Sequence, residues 1–145
     1  MARNTEGVIL LEKDEGRRYG MGNLTAIFKA DEAETGCRYA VSEWILDPGF
    51  DGVGPHSHQA NEELFHVLEG EPEILIGDVW TRVARGTFLR IPAGTMHDFR
   101  NLRTARARLL NVFIPGGFEP LMPDIVSWFA NDARQKDHEP PQKAE

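Results

Sequence analysis

Two short segments of the chain carry residues that could bind one metal ion together. In the first segment, His56 and His58 are separated by one residue, so both side chains point to the same side of an extended chain. Glu63 follows five residues later, after a turn, where its carboxylate can approach the same point. Imidazole nitrogen and carboxylate oxygen suit zinc, iron, manganese, nickel and copper. The pattern alone leaves the neighbouring Glu62 as a competing candidate, because the sequence does not give the strand register.

The second segment covers residues 86–101. It predicts a strand, a tight turn that contains Pro92 and Gly94, and a further strand that opens with His97. A single histidine at the start of a strand is usually structural or exposed to solvent. The spacing inside this segment therefore does not by itself assign His97 to a metal site.

Taken together, the two segments resemble the paired motifs of the cupin superfamily, in particular small single-domain cupins of the quercetin dioxygenase type. The first motif has His-x-His, four residues, Glu, six residues and Gly, and the second has Gly, five residues, Pro-x-Gly, two residues, His, three residues and Asn. The matching residues are His56, His58, Glu63, Gly70, Gly86, Pro92, Gly94, His97 and Asn101.

The resemblance implies an all-β fold, the cupin jelly-roll β-barrel or double-stranded β-helix. It also implies one divalent metal ion (Fe, Mn, Ni, Cu or Zn) inside the barrel on His56, His58, Glu63 and His97, and the spacing to Gly70 selects Glu63 over Glu62. The first motif departs from the family at one position, where Phe50 replaces a glycine. His66 stands where many relatives have tyrosine, and strand alternation places it on the surface or at a subunit interface rather than among the ligands.

The elements that must position these residues are short strands separated by turn signals. The chain has 14 glycines and 9 prolines, many of them between short apolar runs, which is typical of an all-β protein with many turns. A short C-terminal helix begins at Pro123 or Asp124, with Ile125, Trp128 and Phe129 on one face. The predicted strands are 24–30, 38–46, 65–68, 72–77, 79–83, 87–91, 97–101 and 107–114.

The length of 145 residues predicts a single domain over residues 1–130, with the barrel at about 38–115. Residues 131–145 form a polar tail with two prolines, which we expect to be disordered, and His138 is excluded from the site for that reason. The net charge of −7 argues against a nucleic-acid partner. The chain has no apolar run of about 20 residues, so no membrane partner is expected. A single cysteine, Cys37, and the lack of a secretory signal favour the cytoplasm.

A homodimer is the expected assembly, because small cupins commonly pair. Residues 8–11 form an apolar run that predicts a short strand. It could add to the sheet edge of a second copy, or it could close the edge of its own barrel, and the sequence favours neither.

The resemblance makes a metal-dependent dioxygenase the first functional hypothesis, acting on a small organic substrate of enol or phenol type. Glu63 would be a ligand and, if it can detach from the metal, also the proton-accepting base, and Phe65, Val67 and Phe99 would either shield the reaction from water or simply form the core. The alternatives are a metal-dependent isomerase, lyase or cyclase, and a non-enzymatic cupin that binds a small ligand.

Overall fold

The computed structural model describes residues 5–131, and the predicted tail from residue 132 onward, with His138, lies outside the described residues. Nine strands and two α-helices follow one another, with a short 3₁₀ helix at Glu119–Leu121 before the second α-helix. The elements are β1 (Arg17–Met21), β2 (Leu24–Ala30), α1 (Glu32–Thr35), β3 (Ala40–Leu46), β4 (Glu62–Glu69), β5 (Glu73–Ile76), β6 (Val79–Arg82), β7 (Phe88–Ile91), β8 (His97–Arg100), β9 (Ala107–Ile114) and α2 (Met122–Ala130).

The strands form two antiparallel sheets that pack face to face as a jelly roll. The larger sheet has the order β1-β2-β3-β9-β4-β7, and the smaller has the order β6-β5-β8. Large apolar side chains from both sheets fill the space between them, among them Phe28, Trp44, Phe65, Phe99 and Leu109. The predicted all-β jelly-roll barrel with a short C-terminal helix is therefore confirmed.

Most predicted strands appear in the structure within a few residues of their predicted ends. The hairpin of β5 and β6 turns at Gly77, which has the positive φ of 64° that such a turn requires. Besides the short 3₁₀ helix, two elements were missed. The strand β1 is short, polar and at a sheet edge, and α1 is a single turn whose capping box of Asp31 and Glu34 is its only strong signal.

Residues 8–11 do not form a strand, so the prediction of a short strand there is wrong for the single chain. They are exposed, and the backbone amides of residues 9–11 have no backbone partner in the described part of the chain. A strand needs a neighbouring edge to pair with, and this segment pairs with none among the residues that the structure describes.

The helix α2 follows the last strand and packs on the barrel through Met122 and Ile125, which are buried, with Phe129 partly buried beside the core. Its position is fixed by the segment before it, where the Asp31 carboxylate accepts hydrogen bonds from the amides of Gly117 (2.6 Å) and Glu119 (2.7 Å). Within residues 5–131, no helix has both the length and the apolar composition that crossing a bilayer requires.

Candidate metal centre

The structure brings His56, His58, Glu63 and His97 to one place inside the barrel, from both sheets and a loop. His56 and His58 lie in the loop between β3 and β4, Glu63 lies on β4 of the larger sheet, and His97 opens β8 of the smaller sheet. An isolated pair of backbone hydrogen bonds joins the loop to β8, from His56 N to His97 O (3.0 Å) and from His97 N to His56 O (2.8 Å). This bridge holds two imidazoles side by side.

The three imidazoles form a compact buried cluster. Their ring centres are 4.5 Å (His56–His97), 5.2 Å (His56–His58) and 5.4 Å (His58–His97) apart. One nitrogen of each ring lies within 4.8 Å of the other two, so the three could hold one metal ion. All three side chains are more than nine-tenths buried. Uncompensated burial of three polar rings is costly, and a shared cation would offset that cost.

Hydrogen bonds to the backbone fix the tautomer of two of the rings. The Nδ1 atom of His56 lies 2.8 Å from the carbonyl of Gly54, and the Nδ1 atom of His97 lies 2.9 Å from the carbonyl of Thr95. A carbonyl can only accept, so each Nδ1 carries the proton and donates it. In the neutral ring, Nε2 then presents a lone pair to the centre of the cluster, which is the form that a metal ligand requires.

The carboxylate of Glu63 completes the cluster from the opposite sheet. Its Oε2 atom lies 3.4 Å from Nε2 of His58 and 2.6 Å from Nε2 of His97, while Oε1 accepts a hydrogen bond from Asn111 (3.1 Å). With the His97 proton on Nδ1, the short contact joins two acceptors, and both atoms are buried without a hydrogen-bond donor. Such a contact needs a positive charge between the two atoms, either a proton or a metal ion. The donor set therefore fits a divalent metal.

The pKa shifts of the four side chains agree with a positive charge at the contact of Glu63 with His97. Burial, and then His97, lower the pKa of His56, and burial lowers the pKa of His58 to about 4. Burial acts against the charged forms of Glu63 and His97 as well, but their mutual contact outweighs it. The pKa of Glu63 is therefore lowered and the pKa of His97 is raised. These two shifts favour a positive charge located between the Glu63 carboxylate and the His97 imidazole.

The strand register decides between the two adjacent glutamates. Glu63, Phe65 and Val67 are buried on the inner face of β4, whereas His66 is exposed on the outer face, as alternation requires. Glu62 pairs instead with Arg90, with 2.8 Å between Oε2 and Nη2. The structure thus brings Glu63 into the cluster and leaves Glu62 and His66 outside it.

A cavity of about 50 Å³ adjoins the cluster and is walled mainly by aromatic and aliphatic side chains. Of the three apolar residues predicted around the site, Phe65 and Phe99 line it, while Val67 belongs to the core. The lining residues missed by the sequence analysis are Leu24, Trp44, Val53, Asn111, Phe118, Ile125 and Phe129. Only Asn111 had a visible signal, a polar amide within the apolar run of β9.

Comparison with known proteins identifies the family. Residues 42–113, which include all four clustered side chains, match the family model described as "Cupin domain". An uncharacterised protein of Streptomyces coelicolor is 36% identical over 77 residues, which make up 52% of this chain and 70% of that protein. The chain belongs to the cupin family.

One further relative of this cupin and one structural neighbour are enzymes by name. Quercetin 2,3-dioxygenase of Bacillus subtilis is 32% identical over 112 residues, which cover 77% of this cupin and 32% of that enzyme. This cupin thus spans about a third of the length of that curated relative. The polyketide cyclase RemF from Streptomyces resistomycificus superposes with a TM-score of 0.66 at 22% identity, covering 74% of this cupin and 79% of that chain. The second likeness establishes the fold alone.

Proposed function

We propose that this cupin is a metal-dependent dioxygenase that acts on a small organic substrate of enol or phenol type. One divalent metal ion would be held by His56, His58, Glu63 and His97. The observation that carries the proposal is the buried contact of Glu63 Oε2 with His97 Nε2 inside a cluster of three imidazoles. The likeness to the Bacillus quercetin dioxygenase favours oxygenase chemistry over the alternatives.

A bound metal ion supplies Lewis-acid polarisation of a substrate oxygen and, if it is iron, manganese, nickel or copper, electron exchange with dioxygen. The substrate itself supplies the electrons and both oxygen atoms enter the product, so no external reductant is needed. The role of the protein is to bind the substrate, to accept its proton and to exclude water.

Glu63 is the group that would accept the substrate proton. Its pKa is lowered, so it is ionised at neutral pH, and its Oε2 atom has no hydrogen-bond donor among the described residues. Asn111 holds the other oxygen, which leaves Oε2 directed at the cluster. A base must lie within hydrogen-bond reach of the proton that it removes, and a substrate oxygen in the adjoining cavity would meet that condition.

The walls of the cavity would keep water away from the reacting substrate. Trp44, Phe65, Phe99 and Phe118 present aromatic surface beside the imidazoles, which favours a flat, unsaturated substrate over a polar one. The cavity of about 50 Å³ has room for only a little water, so an aromatic substrate enters by displacing side chains. Phe129 of α2 lies in the lining at the periphery of the core and is the side chain that we expect to move.

The alternative is a metal-dependent isomerase, lyase or cyclase, in which the same ligands polarise a carbonyl without redox chemistry. The mixed imidazole and carboxylate donor set favours this reading equally when the ion is zinc. The two proposals differ in the metal and in the need for dioxygen. A non-enzymatic binding protein differs from both because it turns nothing over.

The first test is elemental analysis of protein purified without chelator and without a nickel column. The wild type should carry one equivalent of iron, manganese, nickel or copper. The variants His56→Ala and His97→Ala should lose it while they keep the wild-type circular dichroism spectrum. His66→Ala is the matched control, because it removes an exposed imidazole from the outer face of β4, and it should keep the metal.

The second test is dioxygen uptake with quercetin and simpler enols as probes. Uptake by the wild type, lost in His97→Ala, supports the dioxygenase. One equivalent of zinc with turnover under anaerobic conditions favours the isomerase, lyase or cyclase instead. Absence of metal in every sample, with none taken up on reconstitution, overturns the metal proposal and leaves a small-ligand-binding cupin.

A further inference from the structure

Asp98 is a buried carboxylate next to His97 that takes no part in the imidazole cluster. Successive residues of a strand point to opposite faces, so His97 faces the cluster and Asp98 faces the loop that precedes His56. Only 2% of Asp98 is exposed. A carboxylate is rarely buried to this extent unless it is fully hydrogen-bonded, which directs attention to what Asp98 binds.

Three backbone amides donate to the Asp98 carboxylate. Oδ1 accepts from Val53 N (3.0 Å) and Phe99 N (2.8 Å), and Oδ2 accepts from Gly54 N (3.0 Å). Charge-assisted bonds of this kind are about twice as strong as neutral ones. The carboxylate therefore fastens the loop at residues 53–54 to the start of β8.

The loop fits closely around the carboxylate because of one glycine. Gly52 has a φ of 110°, and a methyl group built on it would lie 2.6 Å from Asp98 Oδ2. Any other residue at this position would be strained in its backbone and would push against the carboxylate. The approach of the loop to Asp98 is thus as close as the chain allows.

The loop transmits this constraint to the metal cluster through a single residue, Gly54. The amide of Gly54 donates to Asp98, and the carbonyl of Gly54 accepts the Nδ1 proton of His56 at 2.8 Å. That second hydrogen bond fixes the tautomer and the ring orientation of His56, and so directs its Nε2 lone pair at the other imidazoles. Among the described residues no hydrogen bond or ion pair joins Asp98 to the His56 ring, so the hydrogen-bonded link between them runs through Gly54.

We propose that Asp98 is a positioning residue for His56: its carboxylate holds the Gly54 carbonyl where it fixes the metal-binding tautomer of that histidine. This inference rests on the proposed metal site. Outer partners of metal-ligating histidines typically account for about 10- to 100-fold in metal affinity. The same range is the expected effect of Asp98, although no atom of its side chain would touch the ion.

The structure offers a matched control in Asp31. Its carboxylate is also buried and also accepts two backbone amides, those of Gly117 and Glu119, but it holds the segment before α2 and not a histidine loop. Asp98→Asn and Asp31→Asn each replace a carboxylate with an amide of nearly the same shape. Each variant should lower the stability of the fold, because it weakens hydrogen bonds to a buried carboxylate. Only Asp98→Asn should change the tautomer of His56.

The experiment measures the Zn²⁺ affinity of the wild type and the two variants by competition with a chromophoric chelator, together with long-range ¹H–¹⁵N spectra of the histidines in metal-free protein. Asp98→Asn should bind Zn²⁺ about 10- to 100-fold more weakly, and its His56 should lose the uniform Nδ1-protonated tautomer. Asp31→Asn should match the wild type in both measurements. Should Asp98→Asn fold poorly, Gly52→Ala disturbs the same contact from the loop side and should have the same effect.

Wild-type affinity and tautomer in Asp98→Asn would overturn the inference, and so would an equal loss of affinity in Asp31→Asn. A wild type that binds no Zn²⁺ at all would count against the proposed metal function. In that case the His56 tautomer in metal-free protein still decides whether Asp98 positions the ring, so the two failures are distinguishable.

Discussion

At the scale of single residues, Glu63 has two proposed roles, which are to bind a metal ion and to accept a proton. The two roles depend on different properties. As a ligand, Glu63 adds a fourth donor to the three imidazoles, whereas as a proton acceptor it needs an ionised carboxylate. Asn111 donates to Oε1 and therefore separates the oxygen that is fixed from the oxygen that faces His58 and His97.

The variant Glu63→Gln separates the two roles. Glutamine has nearly the same shape and can still accept from Asn111, so the fold and part of the metal affinity should survive on the three histidines. The rate constant for dioxygen uptake should fall by about 10²- to 10⁴-fold, the usual contribution of a general base. Steady-state kinetics with measured metal content checks this. Glu62→Gln, which changes only the outward pair with Arg90, is the control, and an unchanged rate in Glu63→Gln would remove the base role.

At the scale of elements, the loop between β3 and β4 is held near its start by a buried side chain. Phe50 lies near its start, with 1% of its surface exposed, and its ring centre is 6.1 Å from that of Phe99 on β8. This is the position where the family motif has glycine, and the positive φ of Gly49 and Gly52 provides the turn on either side. The departure from the motif therefore adds a core side chain without removing the turn.

Phe50→Ala should lower the free energy of unfolding by about 3–5 kcal/mol, because truncation of a fully buried phenylalanine leaves a cavity. Chemical denaturation monitored by tryptophan fluorescence measures the change, with the denaturant slope expected to stay the same. Phe88→Ala is the matched control, since Phe88 is 63% exposed on β7, and its effect should lie within about 0.5 kcal/mol. Equal effects of the two substitutions would show that the loop does not depend on Phe50.

At the scale of the whole molecule, the outer face of the larger sheet carries apolar surface that the single chain leaves open. A surface cleft of about 710 Å³ lies there, lined by the apolar Ile9, Leu11 and Leu68 and by six charged side chains. Arg108 is buried at the cleft and pairs with Asp14 and Glu43, yet its Nη2 atom has no hydrogen-bond acceptor among the described residues. A second copy could cover the apolar side chains, whereas the buried Nη2 atom of Arg108 stays out of its reach.

The homodimer therefore stays a prediction, now with a defined surface. Light scattering should give twice the chain mass of 16.3 kDa. Ile9→Asp places a charge on the exposed apolar run where it lines the cleft and should yield a monomer. Leu102→Asp changes an exposed leucine outside that cleft and should remain dimeric. A monomeric mass for the wild type would end the dimer hypothesis without affecting the metal site.

The sequence by itself indicated which side chains could bind a metal ion and predicted most of the strands. Strand alternation is a local property, so it correctly placed Phe65 and Val67 inward and His66 outward. The spacing of the two motifs, through their resemblance to cupins, predicted one metal site before any contact between its residues was known. The predicted ligands are His56, His58, Glu63 and His97. Local patterns are sufficient for such statements because they depend on residues close together in the chain.

Only the tertiary structure decided what depends on distant contacts. The approach of Glu63 to His97 joins two sheets, the hydrogen bond from Asn111 joins β9 to β4, and Trp44 and Phe118 reach the cavity from elements far apart in the chain. The Asp98 carboxylate likewise binds a loop about forty-five residues away. Register, sheet order and loop closure set these contacts, and no short stretch of sequence encodes them. For the same reason the exposed run at residues 8–11 looked like a strand, since its pattern could not reveal that it pairs with no strand within residues 5–131.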